Sequence, residues 1–129
     1  MAVLDEVTGI TVAVVAVEPA IAGHIEGISY FYQGLAGWVK LNPASPPQIV
    51  QGTGLSLAVQ WVNDGNVPCR GHVALVITKP DGSELSPKAV SNQDAVLKPG
   101  YIIAVEFAPV TLDQLGSYLA GVELSGEEA

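Results

Sequence analysis

Apolar side chains recur at every second position through most of residues 55–124. Leu55, Leu57, Val59 and Trp61 form one such row, with Ser56, Ala58, Gln60 and Val62 on the opposite side. The turn residues Asn63, Asp64, Gly65 and Asn66 follow, and then a second row, Val73, Leu75 and Ile77. Lys79, Pro80, Asp81 and Gly82 mark another turn. Tyr101, Ile103, Val105 and Phe107 alternate again, and Tyr118, Ala120, Val122 and Leu124 share the last face. Side chains two apart lie on the same face of a strand, so this pattern requires sheets with one buried side. The fold class expected is all-β, an antiparallel β-sandwich.

The residues before this stretch read differently. Residues 10–17 (ITVAVVAV) are β-branched and apolar on both faces, which predicts a strand covered on both sides and too short to span a bilayer. Residues 20–27 predict a turn or a short helix. Residues 28–33 and 38–41 predict two strands joined at Gly34, Leu35, Ala36 and Gly37 as a hairpin. Asn42, Pro43, Ala44, Ser45, Pro46 and Pro47 form a connection that neither sheet nor helix traverses, because proline fixes φ and lacks a donor. This divides an N-terminal arm or hairpin subdomain, residues 1–47, from a sandwich at 48–129. Residues 111–115 predict a single helical turn, residues 89–90 a short edge strand, and residues 125–129 an acidic tail.

Charge narrows the function. Of 129 residues only 14% are charged, against roughly 25% in ordinary soluble proteins. Much of the outer surface is therefore small and uncharged, which fits either a merely low-charge domain or one with part of its surface under neighbouring subunits. The net charge is −8, and the five cations Lys40, Arg70, Lys79, Lys88 and Lys98 are scattered. Binding to a phosphate backbone or an anionic membrane needs cations gathered on one face, so neither is expected. Cys69 stands alone, so no internal disulfide or thiolate metal site is expected. Met1 to Glu6 carry acids where a secretory signal carries Lys or Arg, so export by the usual signal is not expected.

No residue pattern announces catalysis. His24 and His72 lack a carboxylate cluster and read as surface or half-buried imidazoles rather than metal ligands. Gly52, Thr53 and Gly54 lack the lysine of a phosphate loop. The Asn63 to Asn66 turn lacks the acidic spacing of a calcium loop. Cys69, between Pro68 and Arg70, reads as a buried inert thiol. Tyr30, Phe31, Tyr32 and Trp38 have three readings: core packing, interface anchors, or a platform for sugar rings.

Two stretches carry a resemblance. At Asp113, Gln114, Leu115, Gly116, Ser117 and Tyr118 the chain resembles the corner before a late strand of immunoglobulin-like sandwiches, where a tyrosine hydroxyl ties back to the corner backbone. The stretch from Leu57 to Pro68, with its Asn-x-Gly turn and following proline, is similar to the adhesion-type, CARDB-like immunoglobulin-like modules. So is Pro99-Gly100 leading into residues 101–107. The resemblance covers roughly residues 49–124 and implies an immunoglobulin-like topology with Gly116 and Tyr118 as a structural corner. Such modules have a further strand after the tyrosine strand, which this chain lacks, so an edge completed by residues 10–17 or by a neighbour is expected.

The function expected is a non-enzymatic structural protein, most specifically a virion accessory protein (capsid decoration or cement) assembled in the host cytoplasm. Its partners are protein subunits, itself included, and no cofactor is expected. Its contacts are expected at Ile10, Val12, Val14, Tyr30, Phe31, Tyr32 and Trp38. The alternative is a cell-surface adhesion or carbohydrate-binding module.

Overall fold

The structure, a computed structural model, describes residues 3–6 and 19–129. Among these residues there is no helix; the chain forms two antiparallel sheets packed together. The first sheet has the order β2 (Val39–Lys40), β1 (Gly23–Phe31), β3 (Gly54–Asn63), β7 (Ile102–Glu106), with β8 (Val110–Thr111) also on β3. The second is centred on β4 (Cys69–Thr78). β9 (Leu119–Glu128) pairs along the whole of β4 on one side, and β5 (Glu84–Leu85) and β6 (Val96–Leu97) cap the two ends of the other.

The inward rows read from the sequence are the core. Leu57, Val59 and Trp61 of β3 face Val73, Leu75 and Ile77 of β4, joined by Val105 and Phe107, all at most 6% exposed. Leu97 and Val110, from two-residue strands too short to show a period, complete it. Tyr101 departs from its expected row: it sits in the turn before β7 and is 59% exposed.

Four further expectations of local structure are corrected. Residues 20–27 hold neither turn nor helix from Gly23 onward, because β1 starts there. Its apolar residues Ile25, Ile28 and Tyr30 lose alternation at Glu26, the extra residue of a bulge between Ile25↔Trp61 and Gly27↔Gln60. The bulge returns Ile25 and Ile28 to the same inward face. β1 is hydrogen-bonded along β3, so residues before the proline-rich connection share a sheet with residues after it. Residues 111–115 are not helical: Val110 and Thr111 continue the β7 pairing after a bulge, the five residues from Glu106 to Val110 facing the four from Leu55 to Ala58. Residues 89–90 make only an isolated bridge, Ala89 to Phe107. The acidic end is a strand as far as Glu128, since β4 begins at Cys69 and its first rungs are matched by Gly126, Glu127 and Glu128. Residues 10–17 lie outside the described residues.

The Trp61 ring lies against Gly71 of the facing sheet. A Cβ at Gly71 would fall inside the van der Waals envelope of ring atoms Cζ2, Cη2 and Cε2. Gly71→Ala is therefore expected to lower stability by about 1–3 kcal/mol, the range for overpacking a filled core. Urea unfolding followed by Trp fluorescence measures this; an unchanged midpoint would contradict it.

Candidate interaction surface

The β1–β2 hairpin carries four of the aromatic residues singled out by sequence, and strand alternation divides them. Tyr30 and Tyr32 share one face and stack with ring centroids 6.3 Å apart and 8° between planes. Tyr30 also packs against the core. Phe31 points to the other face and meets Trp38 at 5.8 Å and 43°. Trp38 is 43% exposed and Val39 beside it 39%. Tyr30↔Val39 and Ser29↔Lys40 set the register, so the Phe31–Trp38 pair sits at the end of the sheet beside a two-residue edge strand. Ile10, Val12 and Val14 fall outside the described residues.

A second cluster, which sequence reading did not assemble, lies at the other end of β1. His24 Nδ1 is 2.6 Å from Asp64 Oδ2 and its Nε2 is 2.8 Å from Glu26 Oε2. The His24↔Val62 register places Asp64 just beyond the strand end, and the bulge supplies Glu26. The signal was present in the sequence, but it becomes visible only once β1 is extended to Gly23. Both ring nitrogens face carboxylates, so the Asp64 hydrogen bond first, and then that of Glu26, raises the His24 pKa above 6.5. Around the cluster the backbone is tied in the same sense. Ala20 N–H donates to Asn66 Oδ1, and the Asp64 and Asn66 N–H groups donate to the Ala22 and Ala20 carbonyls.

A raised folded pKa adds stability that is complete below the unfolded value of 6.5 and is lost as pH rises through the folded value. The melting-temperature advantage of the wild type over His24→Gln is thus expected to be larger at about pH 6 than at about pH 9. A difference that grows with pH would contradict the assignment.

The corner before β9 is locked by Tyr118. The Gln114 N–H donates to the Tyr118 hydroxyl at 2.9 Å, and Gly116 takes a φ of 119° that favours glycine. The neighbouring turn is fastened to this corner through Asp81. Its carboxylate accepts from the Ser83 hydroxyl, the Ser83 N–H and the Gln114 side-chain amide, which together lower its pKa to about 2. Tyr118→Phe removes this bond and the hydroxyl's longer donation to Asp113 Oδ1 at 3.4 Å, and is expected to cost about 1–2 kcal/mol in urea unfolding; no change would mean the hydroxyl does not hold the corner.

Clefts open at the surface of the described residues. One of about 180 Å³ is lined by Ile21, Gly23, Trp61, Cys69, Leu124 and Gly126. A shallower one, about 360 Å³, is bordered by the Lys79–Asp113 ion pair at 3.3 Å. The Cys69 thiol is buried. Among the described residues no three His, Cys, Asp or Glu side chains are grouped as metal ligands. No family model, curated protein or solved structure matches this chain.

Proposed function

We propose that the chain is a non-enzymatic structural protein that assembles with protein subunits, copies of itself included. Its most specific form is a virion accessory protein of the capsid decoration or cement kind. The observation that carries this reading is the apolar outer surface of the β1–β2 hairpin, where Phe31, Trp38 and Val39 stand together at the end of a sheet. Aromatic anchors of this kind dominate association energies when a partner covers them. Composition supports the same reading, since a surface with few charges offers little opposition to desolvation. The Tyr118–Gln114 bond and the two-sheet build support an immunoglobulin-like module as the scaffold, with residues 1–47 contributing most contacts.

The exposed Trp38 ring also favours a second reading, stacking on a sugar ring in an adhesion or carbohydrate-binding module. Light scattering across a wide concentration range separates the two. On the assembly reading the wild type is multi-subunit, and Phe31→Ser with Trp38→Ser weakens association about 30-fold or more, the scale of an interface hot spot. A wild type that remains one chain at every concentration, yet binds glycans in a Trp38-dependent way, would replace assembly by the second reading.

A further inference from the structure

The sandwich is unevenly closed. On β3 and β4 the inward rows are at most 6% exposed, but on β9 Ala120 is exposed and Val122 and Leu124 are only half-buried. Across from them on β1, Ile25, Ile28 and Tyr30 are also half-buried. The flank between β1 and β9 is therefore where the core remains partly wet. The 180 Å³ cleft opens on this flank, and glycines at both lips keep it unfilled. A Cβ at Gly23 would sit 3.2 Å from Leu124 Cδ2, and one at Gly126 would sit 2.8 Å from Cys69 Sγ.

The backbone on that flank is equally unfinished. β9 is ten residues long, and among the described residues only β4 pairs with it. In an antiparallel pair every second residue turns its N–H and C=O away from the partner, so β9 presents a row of donors and acceptors on its outer edge. Edges are normally blunted by charge, proline or brevity. The acids of β9 lie at Glu123, Glu127 and Glu128, and Leu119, Ala120, Gly121 and Val122 carry none; Leu119 is 68% exposed.

We propose that the outer edge of β9 accepts residues 10–17 of a second copy of this chain as an added antiparallel strand. The inference rests on the assembly reading and names the contact through which copies join. Three observations select this occupant. The segment is eight residues of ITVAVVAV, close to the length of the edge. It is uncharged, whereas the copies carry −8 each, so it meets the acidic end of β9 without like-charge repulsion. It is apolar on both faces: one row covers Val122, Leu124 and the cleft, and the other lies under the neighbouring copy.

Chain direction selects a second copy over the same one. Ala20 is fixed beside Asn66, at the end of the sandwich where β1 begins and β9 finishes. Only a few residues separate position 17 from that anchor, so a strand from the same chain would reach β9 at its Glu128 end and run parallel to it. Every pair of named strands among the described residues is antiparallel. A strand from a second copy is free to run antiparallel, the more stable arrangement per residue. Donor segment and acceptor edge are different surfaces, so the contact is head-to-tail and propagates as a ring or an open filament.

The test uses the full chain carrying Val12→Pro and Val14→Pro, which removes two donors and bends the segment. Hydrogen exchange at the β9 amides and light scattering are read together. In the wild type, protection of β9 is expected to rise with protein concentration. In the variant it falls tenfold or more, to the dilute wild-type level. As a second measurement, a synthetic peptide of residues 9–18, in excess, is expected to dissociate the wild-type assembly while keeping the β9 amides protected. A multi-subunit variant with β9 as protected as in the wild type overturns strand exchange and leaves the assembly reading standing. Protection of β9 that does not depend on concentration overturns exchange between copies. A wild type that never exceeds one chain overturns both readings.

Discussion

The contact between the Trp61 ring and Gly71 governs how the two sheets sit. Stacked sheets stand about 10 Å apart, a gap that aliphatic rows fill from both sides. An indole from β3 spans most of that gap alone, so β4 must present no side chain beneath it, and Gly71 provides this. The requirement spreads sideways. Gly71 pairs with Gly126 on β9, while Gly23 on β1 lies 3.7 Å, measured from its would-be Cβ, from ring atom Cε3. The ring is placed by shape: its Nε1 is buried without an acceptor among the described residues. Clearing room for one large side chain strips side chains from the neighbouring strand ends, and the cleft on the β1–β9 flank results.

Next to the ring, Asn63 holds the same end of the molecule by hydrogen bonds. It is 0% exposed, and its side-chain amide donates to the Val67 and Leu97 carbonyls while its Oδ1 accepts from the Gly65 N–H. Its backbone N–H donates to the Tyr101 carbonyl and its carbonyl accepts from the Gly100 N–H. One buried residue thus satisfies its polar groups while joining the β3–β4 turn, β6 and the turn before β7, an arrangement that specifies geometry because each lost partner costs desolvation. The His24–Asp64 and Ala20–Asn66 bonds extend the lock to the start of β1. Ala20 is therefore held at this end of the sandwich.

The sequence made the interior rows of β3, β4, β7 and β9 legible because these strands keep an unbroken period of two over the buried stretch. Legibility failed where an inserted residue changes parity. Ile25, Ile28 and Tyr30 look aperiodic until Glu26 is removed as a bulge, and Val105, Phe107 and Val110 do so across Ala108 and Pro109. It failed again where pairing overrides propensity, as in Ser125, Gly126, Glu127 and Glu128, which are strand only because β4 starts at Cys69. The tyrosine corner was readable because its geometry is local: Gln114, Gly116 and Tyr118 lie within five positions. Asn63 and the His24 cluster were not, since each is completed by a distant partner, Leu97 for Asn63 and Asp64 for His24, brought in by the fold. The hairpin aromatics could be found by composition, but the division of Tyr30 and Tyr32 from Phe31 and Trp38 needed the strand boundaries.

Association between acidic copies is favoured where the contact does not bring their carboxylates together. At physiological ionic strength a Debye length of about 8 Å screens separated charges but not those brought into a dry contact. The candidate surfaces meet this condition differently. The Phe31–Trp38 pair offers apolar area and leaves specificity to shape. The outer edge of β9 offers backbone hydrogen bonds, which fix direction and register, together with a half-empty core flank that rewards apolar side chains at alternate positions. The acids on β9 gather at the end nearest Ala20 and leave its Leu119 end uncharged. That asymmetry discourages indiscriminate pairing of one β9 with another, since two such edges would bring like charges together wherever they overlap in parallel. An uncharged strand escapes that penalty in either direction.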